Sequence, residues 1–431
     1  MTGSVVDDPS MRSLIKKGLS YASGDGSAAV ANLVVFTLLL RYLSPAEFGY
    51  LSIGQALSLW VQPLLYMGAN LVAVRLIAAK PEDTAIIAGR MIGLRFAVAL
   101  AVSACTMAFA LHTGDRSLRA VLLAYAVLFL FYPIQPDFIA IGLHRPRVYS
   151  ASRWICSSCF LLGILLLTKI SIRAWMVPLA YAASLLFGAA YGYFALRSAL
   201  HMPKGSWWGP NFGSLLWSTM VVVAAQFFQI GQFSVDVLLL PFWKVPIGLI
   251  GDYGAVARLT QAGGLPLIAL IYALAPVYVK QLATNDVGRI KGLELRFRAC
   301  LLGVGTIGAI AVAAFGPQVL ELVSGRHLPT AHQLAPIFAV GYLLVSLHNS
   351  YTAILVYAGA THYYLTTYVL GLLTTLAAAM VLIPRLGTVG SAWSVNAGYL
   401  VIVFSGYLFH RQLLRQQEKE FNPSLVVAAD F

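Results

Sequence analysis

The chain has 431 residues, 59% of them hydrophobic and only 10% charged, with a mean hydropathy of +0.79 and a formal net charge of +13. A soluble domain carries about 25% charged residues, so this chain cannot cover a water-facing surface, and its solvent is largely lipid. Apolar runs of the ~20 residues that a helix needs to cross hydrocarbon recur along the whole sequence, and the ~10-residue alternating segments of a membrane barrel are absent. The fold class that follows is an all-α integral membrane protein, because only helices and closed barrels satisfy the backbone in lipid.

From the N-terminus, "MTGSVVDDPSMRSLIKKGLS" has early acids and no compact apolar region, so a cleaved signal is not expected and the first span is retained. Twelve spans are predicted, at about 19–41, 49–77, 88–111, 119–142, 150–168, 174–196, 213–240, 252–279, 297–316, 332–358, 362–383 and 388–409. The connections are short. The expected organisation is a six-helix lobe over 1–200, a linker at 201–211, a second six-helix lobe over 212–410, and a tail over 411–431. With the N-terminus inside, twenty of the 29 Lys and Arg fall on the cytoplasmic side, eight fall outside and Arg258 lies within a span. Positive residues concentrate inside, so both termini are expected in the cytoplasm. Most of the +13 is then a topology signal and an attraction to anionic membrane lipids. A nucleic-acid partner is not expected, since the charges are scattered over membrane loops.

The chain also repeats itself. "LLLRYLSPAEFGYLSIGQAL" (38–57) is echoed by "LLLPFWKVPIGLIGDYGAVARL" (238–259), with Phe48-Gly49 against Ile250-Gly251. "GRMIGLRFAVAL" from Gly89 is echoed by "GRIKGLELRFRACL" from Gly288. The offset is 199 for the GR and GL pairs and 201 for Arg95 with Arg296. An offset of six spans keeps the orientation, so the repeat is parallel, and transporters built this way place the substrate path between halves.

Ionisable groups at membrane depth are costly and are functional candidates by default. The acids are Asp25, Asp137 and Asp236. Asp25, between Gly24 and Gly26, either faces a central cavity or sits near the start of a helix that begins late. Asp137 follows Pro133 and Pro136 and either caps or lines a broken helix. Asp236 and Arg258 stand at similar depth, and their pairing is favoured over direct substrate contact. Arg75, Arg95, Arg153, Arg296 and Arg298 form a cytoplasmic-side set. Each one alone is explained by snorkelling to headgroups. Together they suit phosphate oxygens, which the guanidinium fork binds well. Cys105, Cys156, Cys159 and Cys300 lie in apolar spans, so Cys156 and Cys159 read as small packing residues despite their CxxC spacing. No metal and no cofactor is expected. P-loop, HExxH and GxSxG motifs are missing, so the chain reads as a transporter driven by a gradient or mass action.

At this point the sequence resembles a known family. Arg41, Leu43, Pro45, Glu47, Phe48, Gly49, Gly68 and Arg75 fit the first hairpin of the bacterial polysaccharide (O-antigen, Wzx-type) flippases. "DFIAIGLHRPR" and "ELVSGRHLPTAHQLAPIFAVGYLLVSL" are similar to that family's fourth span and to its tenth span with the preceding loop. The second hairpin departs from the usual pattern. The resemblance implies the multidrug/oligosaccharidyl-lipid/polysaccharide exporter superfamily, with two six-helix bundles around a central cavity. It implies a multi-pass protein of the bacterial inner membrane that moves undecaprenyl-pyrophosphate-linked oligosaccharide to the outer leaflet, alongside a polymerase and a chain-length regulator. A cation-coupled multidrug exporter of the same superfamily is the alternative. A membrane-embedded glycan polymerase or glycosyltransferase is a third reading, which lacks the large outer loop it needs.

Overall fold

The computed structural model describes residues 11–68, 72–200, 212–264, 266–268, 270, 271, 278 and 287–421. The expected linker at 201–211 and the end of the tail lie outside them. The protein is all-α. Nine helices among the described residues are long and apolar enough to cross a membrane. A tenth span arises if the pair Val223–Gln232 and Val235–Trp243, bent by 67°, is counted as one. The second expected span corresponds to a 22-residue helix, Pro45–Tyr66. The eighth begins in Ile247–Gly263 and continues mostly outside the described residues.

The chain divides into two compact units, one of Met1–Leu43 with Val61–Val223, the other of Ser44–Trp60 with Ala224–Phe431. In the first, α1 (Met11–Tyr42) packs along α7 (Pro146–Ile170), and α7 packs on α8 (Met176–Leu196). The end of α2 (Pro45–Tyr66) turns through Met67 and Gly68, both with positive φ, toward α3 (Val72–Ala79). Then come α4 (Thr84–His112) and α5 (Arg116–Phe129), which pack together, and the short α6 (Asp137–Gly142) against α3. Asp115 caps α5, accepting from the Ser117 and Leu118 N–H groups at 2.8 and 3.2 Å. Pro133 and Pro136 separate α5 from α6, because proline offers no N–H and clashes with the preceding turn.

The second unit holds the part of α9 (Phe212–Gln232) from Ala224 onward, together with α10 (Val235–Leu239), α11 (Ile247–Gly263), α12 (Val287–Ser324), α13 (Pro329–Tyr357), α14 (Thr361–Leu386) and α15 (Thr388–Phe421). The pairs α14–α15, α12–α13 and α13–α15 form its packed body. In both units large apolar side chains stand on the outside, among them Ile170, Ile307 and Leu322, at 75%, 71% and 83% exposed. In water such faces would drive aggregation, and in hydrocarbon they are the ordinary lipid surface.

The repeated hairpin motif has a visible purpose in the second unit. The start of α2 crosses α11 with the two aligned glycines face to face. A Cβ on Gly251 would fall 2.3 Å from the Pro45 carbonyl oxygen and 3.0 Å from the Gly49 nitrogen. A Cβ on Gly49 would fall 2.1 Å from the Ile247 carbonyl oxygen, and one on Gly254 would fall 2.4 Å from Ser52 Oγ. Without a hydrophobic drive between helices in lipid, association rests on such close backbone packing. Two copies of one small-residue motif thus build one crossing.

Gly251→Ala should therefore destabilise the protein by about 1–3 kcal/mol, the usual cost of overpacking. Gly303, with nothing within 4 Å of a built Cβ, is the control, and Gly303→Ala should be neutral or mildly stabilising. Melting of the detergent-solubilised variants decides the matter, and equal midpoints would refute the close crossing.

Candidate functional site

The candidate site lies in the first unit, around the break between α5 and α6. Breaking a helix frees main-chain carbonyls, and in a membrane each must find a partner within the protein. Arg95, on α4, supplies them. It is 1% exposed. Its Nη2 donates to the Tyr132 carbonyl at 2.6 Å, its Nη1 to the Gln135 carbonyl at 3.2 Å and its Nε to the Leu65 carbonyl at 3.2 Å. Leu65 lies in the last turn of α2, so one guanidinium closes a helix end and a helix break together. The Tyr66 and Phe138 rings flank it at 5.2 and 5.6 Å. Gln135 adds a bond from its side chain to the Leu185 carbonyl at 2.9 Å, tying the break to α8.

The break delivers Asp137 to the first turn of α6, where the helix dipole favours a carboxylate. Its Oδ2 stands 3.6 Å from Arg153 Nε. Arg153, on α7, also stands 3.8 Å from Asp25 Oδ1 on α1. Tyr149 Oη donates to Asp25 at 2.7 Å, and the Tyr149 ring lies 5.6 Å from the Arg153 guanidinium. The three side chains run from buried to open, with Asp137 7% exposed, Arg153 29% and Asp25 61%. Neither ion pair has hydrogen-bond geometry, and Arg153 Nε and Asp137 Oδ1 are buried without a hydrogen-bond partner. Arg153 is therefore held by Coulomb attraction, first to Asp137, and by a side-chain hydrogen bond with Tyr149, and is hydrogen-bonded to neither carboxylate.

The backbone positions this set by close approach. A Cβ on Gly24 would sit 2.9 Å from Ser150 Cα, so α1 touches α7 there. Trp154 Nε1 donates to the Ser23 carbonyl at 3.1 Å. A Cβ on Gly192 would meet the Pro136 ring at 2.5 Å, which seats α8 on the break. Asp25 is well inside α1, which starts at Met11, so of the two expected placements the late helix start is not the one observed.

The other expected site residues lie elsewhere. Arg75 is exposed on α3, and Arg296 is exposed on α12. Arg298 is partly buried, 4.5 Å from the Tyr351 ring. The match of Arg95 to Arg296 at offset 201 has a rival at offset 199, which is Glu294. Glu294 is 3% exposed, accepts from Tyr278 Oη at 2.9 Å and pairs with His410 Nε2 at 2.9 Å. Two residues turn a helix by about 200°, so Glu294 holds the inward face and Arg296 the outward one.

Asp236 follows the 67° bend at the start of α10 and is 4% exposed. Its partner is the Tyr253 hydroxyl, which donates to Oδ2. The expected pairing with Arg258 is thus corrected: Arg258 lies 5.0 Å from the Phe48 ring, beside a small cleft lined by Ser52, Gln55 and Gln261. Burial of α10 against α11 gives Asp236 a neutral donor within reach. The bend is fastened by Gln232, which donates to Thr375 Oγ1 at 2.9 Å and to the Val395 carbonyl at 3.3 Å. Cys156 is buried and Cys159 partly buried, both as free thiols, with Cys156 against Ser184.

Sequence reading missed Tyr149, Gln135, Gln232, Tyr253, Glu294 and His410. Gln232 had a signal, being a polar residue within an apolar run, and Glu294 had one as the lone acid among Lys291, Arg296 and Arg298. The tyrosines had none, since 21 of them are spread along the chain.

A family profile described as polysaccharide biosynthesis protein matches residues 14–281. No curated protein matches individually. Among solved structures, an inward-facing multidrug resistance MATE family transporter of the MOP superfamily is similar, with a TM-score of 0.73 at 12% identity over 91% of this chain and 96% of that one. A MOP superfamily transporter from Pyrococcus furiosus, whose binding pocket is described as reversed in polarity, gives 0.66 at 13% identity over 94% and 96%. A mutant of the Vibrio cholerae MATE transporter VcmN gives 0.62 at 13% identity over 94% and 96%. At these identities the likeness is one of fold, the two-lobed helical architecture of these transporters.

Arg95→Ala should strip the Arg95 donor from three buried carbonyls, of which that of Tyr132 keeps the Gln135 N–H at 3.3 Å, at a cost of about 1–3 kcal/mol for each one left unpaired. Arg95→Lys should rescue little, because an ammonium lacks the planar fork. Both should lower the yield and melting point of solubilised protein far more than Arg153→Ala. An Arg95→Ala variant as stable as the wild type would remove the clamp role.

Proposed function

Because the chain belongs to the polysaccharide biosynthesis protein family and has the fold of membrane transporters, we propose that it is a flippase for undecaprenyl-pyrophosphate-linked oligosaccharide. In this reading it works by alternating access in the bacterial inner membrane, with both termini cytoplasmic, and carries cargo from the cytoplasmic to the outer leaflet. A polymerase and a chain-length regulator act on the delivered glycan.

The observation that carries the reading is the state of Arg153. It is cationic, partly open, and suspended between Asp137 and Asp25 at 3.6 and 3.8 Å with an unsatisfied Nε. A diphosphate offers what neither carboxylate provides, oxygens at hydrogen-bond distance in the plane of the fork. Asp137 and Asp25 keep the guanidinium charged and centred when no cargo is present. On cargo binding the anion competes with them, so the network exchanges one set of oxygens for another without stranding a buried charge. Arg95 serves this reading as the residue that holds the break in place, with its own donors already committed to carbonyls. The exposed Arg75 and Arg296 remain available to headgroups.

Arg153→Ala should lose about 1.5–3 kcal/mol of cargo binding, the range for a charge-assisted hydrogen bond. At 1.4 kcal/mol per tenfold this is roughly a tenfold to hundredfold loss. Arg153→Lys should be milder without being neutral. Surface glycan in cells carrying each variant is the readout, with membrane levels checked by blot. Full export by a normally inserted Arg153→Ala would remove Arg153 as a headgroup ligand.

A further inference from the structure

Where α12 ends and α13 begins, three metal-ligating side chains that the reading above does not use converge on one point. Glu321 lies in the last turn of α12, His327 in the connecting loop and His332 in the first turn of α13. His327 Nδ1 is 2.6 Å and His332 Nε2 is 3.2 Å from the same oxygen, Glu321 Oε1. We propose that Glu321, His327 and His332 form a binding site for a single divalent transition-metal ion of the zinc class.

Geometry is the first support. The three ligand atoms all lie within 4.8 Å of one another. Some point therefore lies no more than about 2.8 Å from all three, against bond lengths of about 2.0–2.2 Å to zinc, so side-chain shifts under ~1 Å complete the coordination. Donor type is the second. Two imidazoles with one carboxylate suit zinc, copper, nickel or cobalt, and do not suit magnesium or calcium, which require oxygen. Three protein ligands leave a fourth position for water. The third support is a scaffold already in shape. Glu321 Oε1 accepts the Leu328 N–H at 3.0 Å. Ser324 Oγ donates to the Arg326 carbonyl at 3.2 Å and accepts the Arg326 N–H at 3.3 Å, around Gly325 at φ +69°. The loop is thus bent over the helix end before any ion arrives. Access is open, with His327 74% and His332 45% exposed. By the charge distribution this helix connection faces the outside, where the ion would come from the medium.

The site has a mechanical neighbour. Arg326, between the ligands, reaches Asp252 on α11 at 3.9 Å, one residue beyond the Gly251 of the close crossing. An ion bound at the loop would fix the segment that carries Arg326.

The test is metal titration of the purified full-length protein, prepared without a polyhistidine tag. Zn²⁺ is measured by competition with a chromophoric chelator, and Co²⁺ by its visible absorption, which reports tetrahedral coordination. One equivalent should bind to the wild type. Glu321→Gln keeps a carbonyl oxygen for the Leu328 N–H while removing the anionic ligand. It and His332→Gln should each weaken binding at least about tenfold, as loss of even outer-shell partners does. His327→Gln lies outside both helices, so it tests the same point if the helix variants fold poorly. Zn²⁺ should raise the melting point of the wild type and not of the triple variant. Absence of stoichiometric binding, or a triple variant that binds as tightly as the wild type, would overturn the proposal. The latter result would assign the ion to the free thiols or the other histidines.

Discussion

A helix that breaks inside a bilayer must account for each main-chain group it releases, and in this protein Arg95 does so. The penalty for a stranded carbonyl in hydrocarbon is several kcal/mol. One guanidinium with donors spread in a plane satisfies Tyr132, Gln135 and Leu65 at once. The break it stabilises is what aims Asp137 at Arg153. Without the clamp, α6 would have no fixed start, and the charged trio would lose its buried member. A buried cation here serves backbone chemistry first, and the placement of the more open arginine follows from it.

The two units solve the bend problem differently. In the first, two prolines force the break and a charged fork mends it. In the second, Gln232 fastens the 67° bend through an amide that both donates to and accepts from Thr375. Asp236 then begins the next helix with a tyrosine as its donor. Both units carry a carboxylate in the first turn after the break, as helix-dipole electrostatics favours. The units differ in what faces it, an arginine in one and a phenol in the other.

The class of fold was legible because composition alone forces it: with so few charges and so many long apolar runs, nothing but a helical membrane protein satisfies the backbone. The break near Asp137 was legible from Pro133 and Pro136, whereas the aligned Gly49 and Gly251 marked a repeat without showing that the two copies cross each other. Side-chain partners were not legible. Depth along two neighbouring spans suggested that Asp236 would pair with Arg258, yet rotation about the helix axis decides partners and a sequence does not display rotation between helices. The same ambiguity appears in the Gly-Leu-Arg-Phe echo, where a slip of two residues exchanges Glu294 for Arg296. The cluster of Glu321, His327 and His332 was not legible, because the turn between α12 and α13 that brings them together in space does not show in their spacing along the chain.

The glycine crossing has a kinetic consequence. Ridges of interlocked side chains separate only after rotamers rearrange, and each rearrangement adds to the barrier. At Gly49 and Gly251 the surfaces in contact are main chain, which has no rotamers to rearrange. Dispersion forces fall off steeply once the backbones part by an ångström. Such a seam resists little once it has begun to open, and it closes again without a search for register. It behaves as a contact with a sharp release, set by main-chain distance and not by side-chain interlocking.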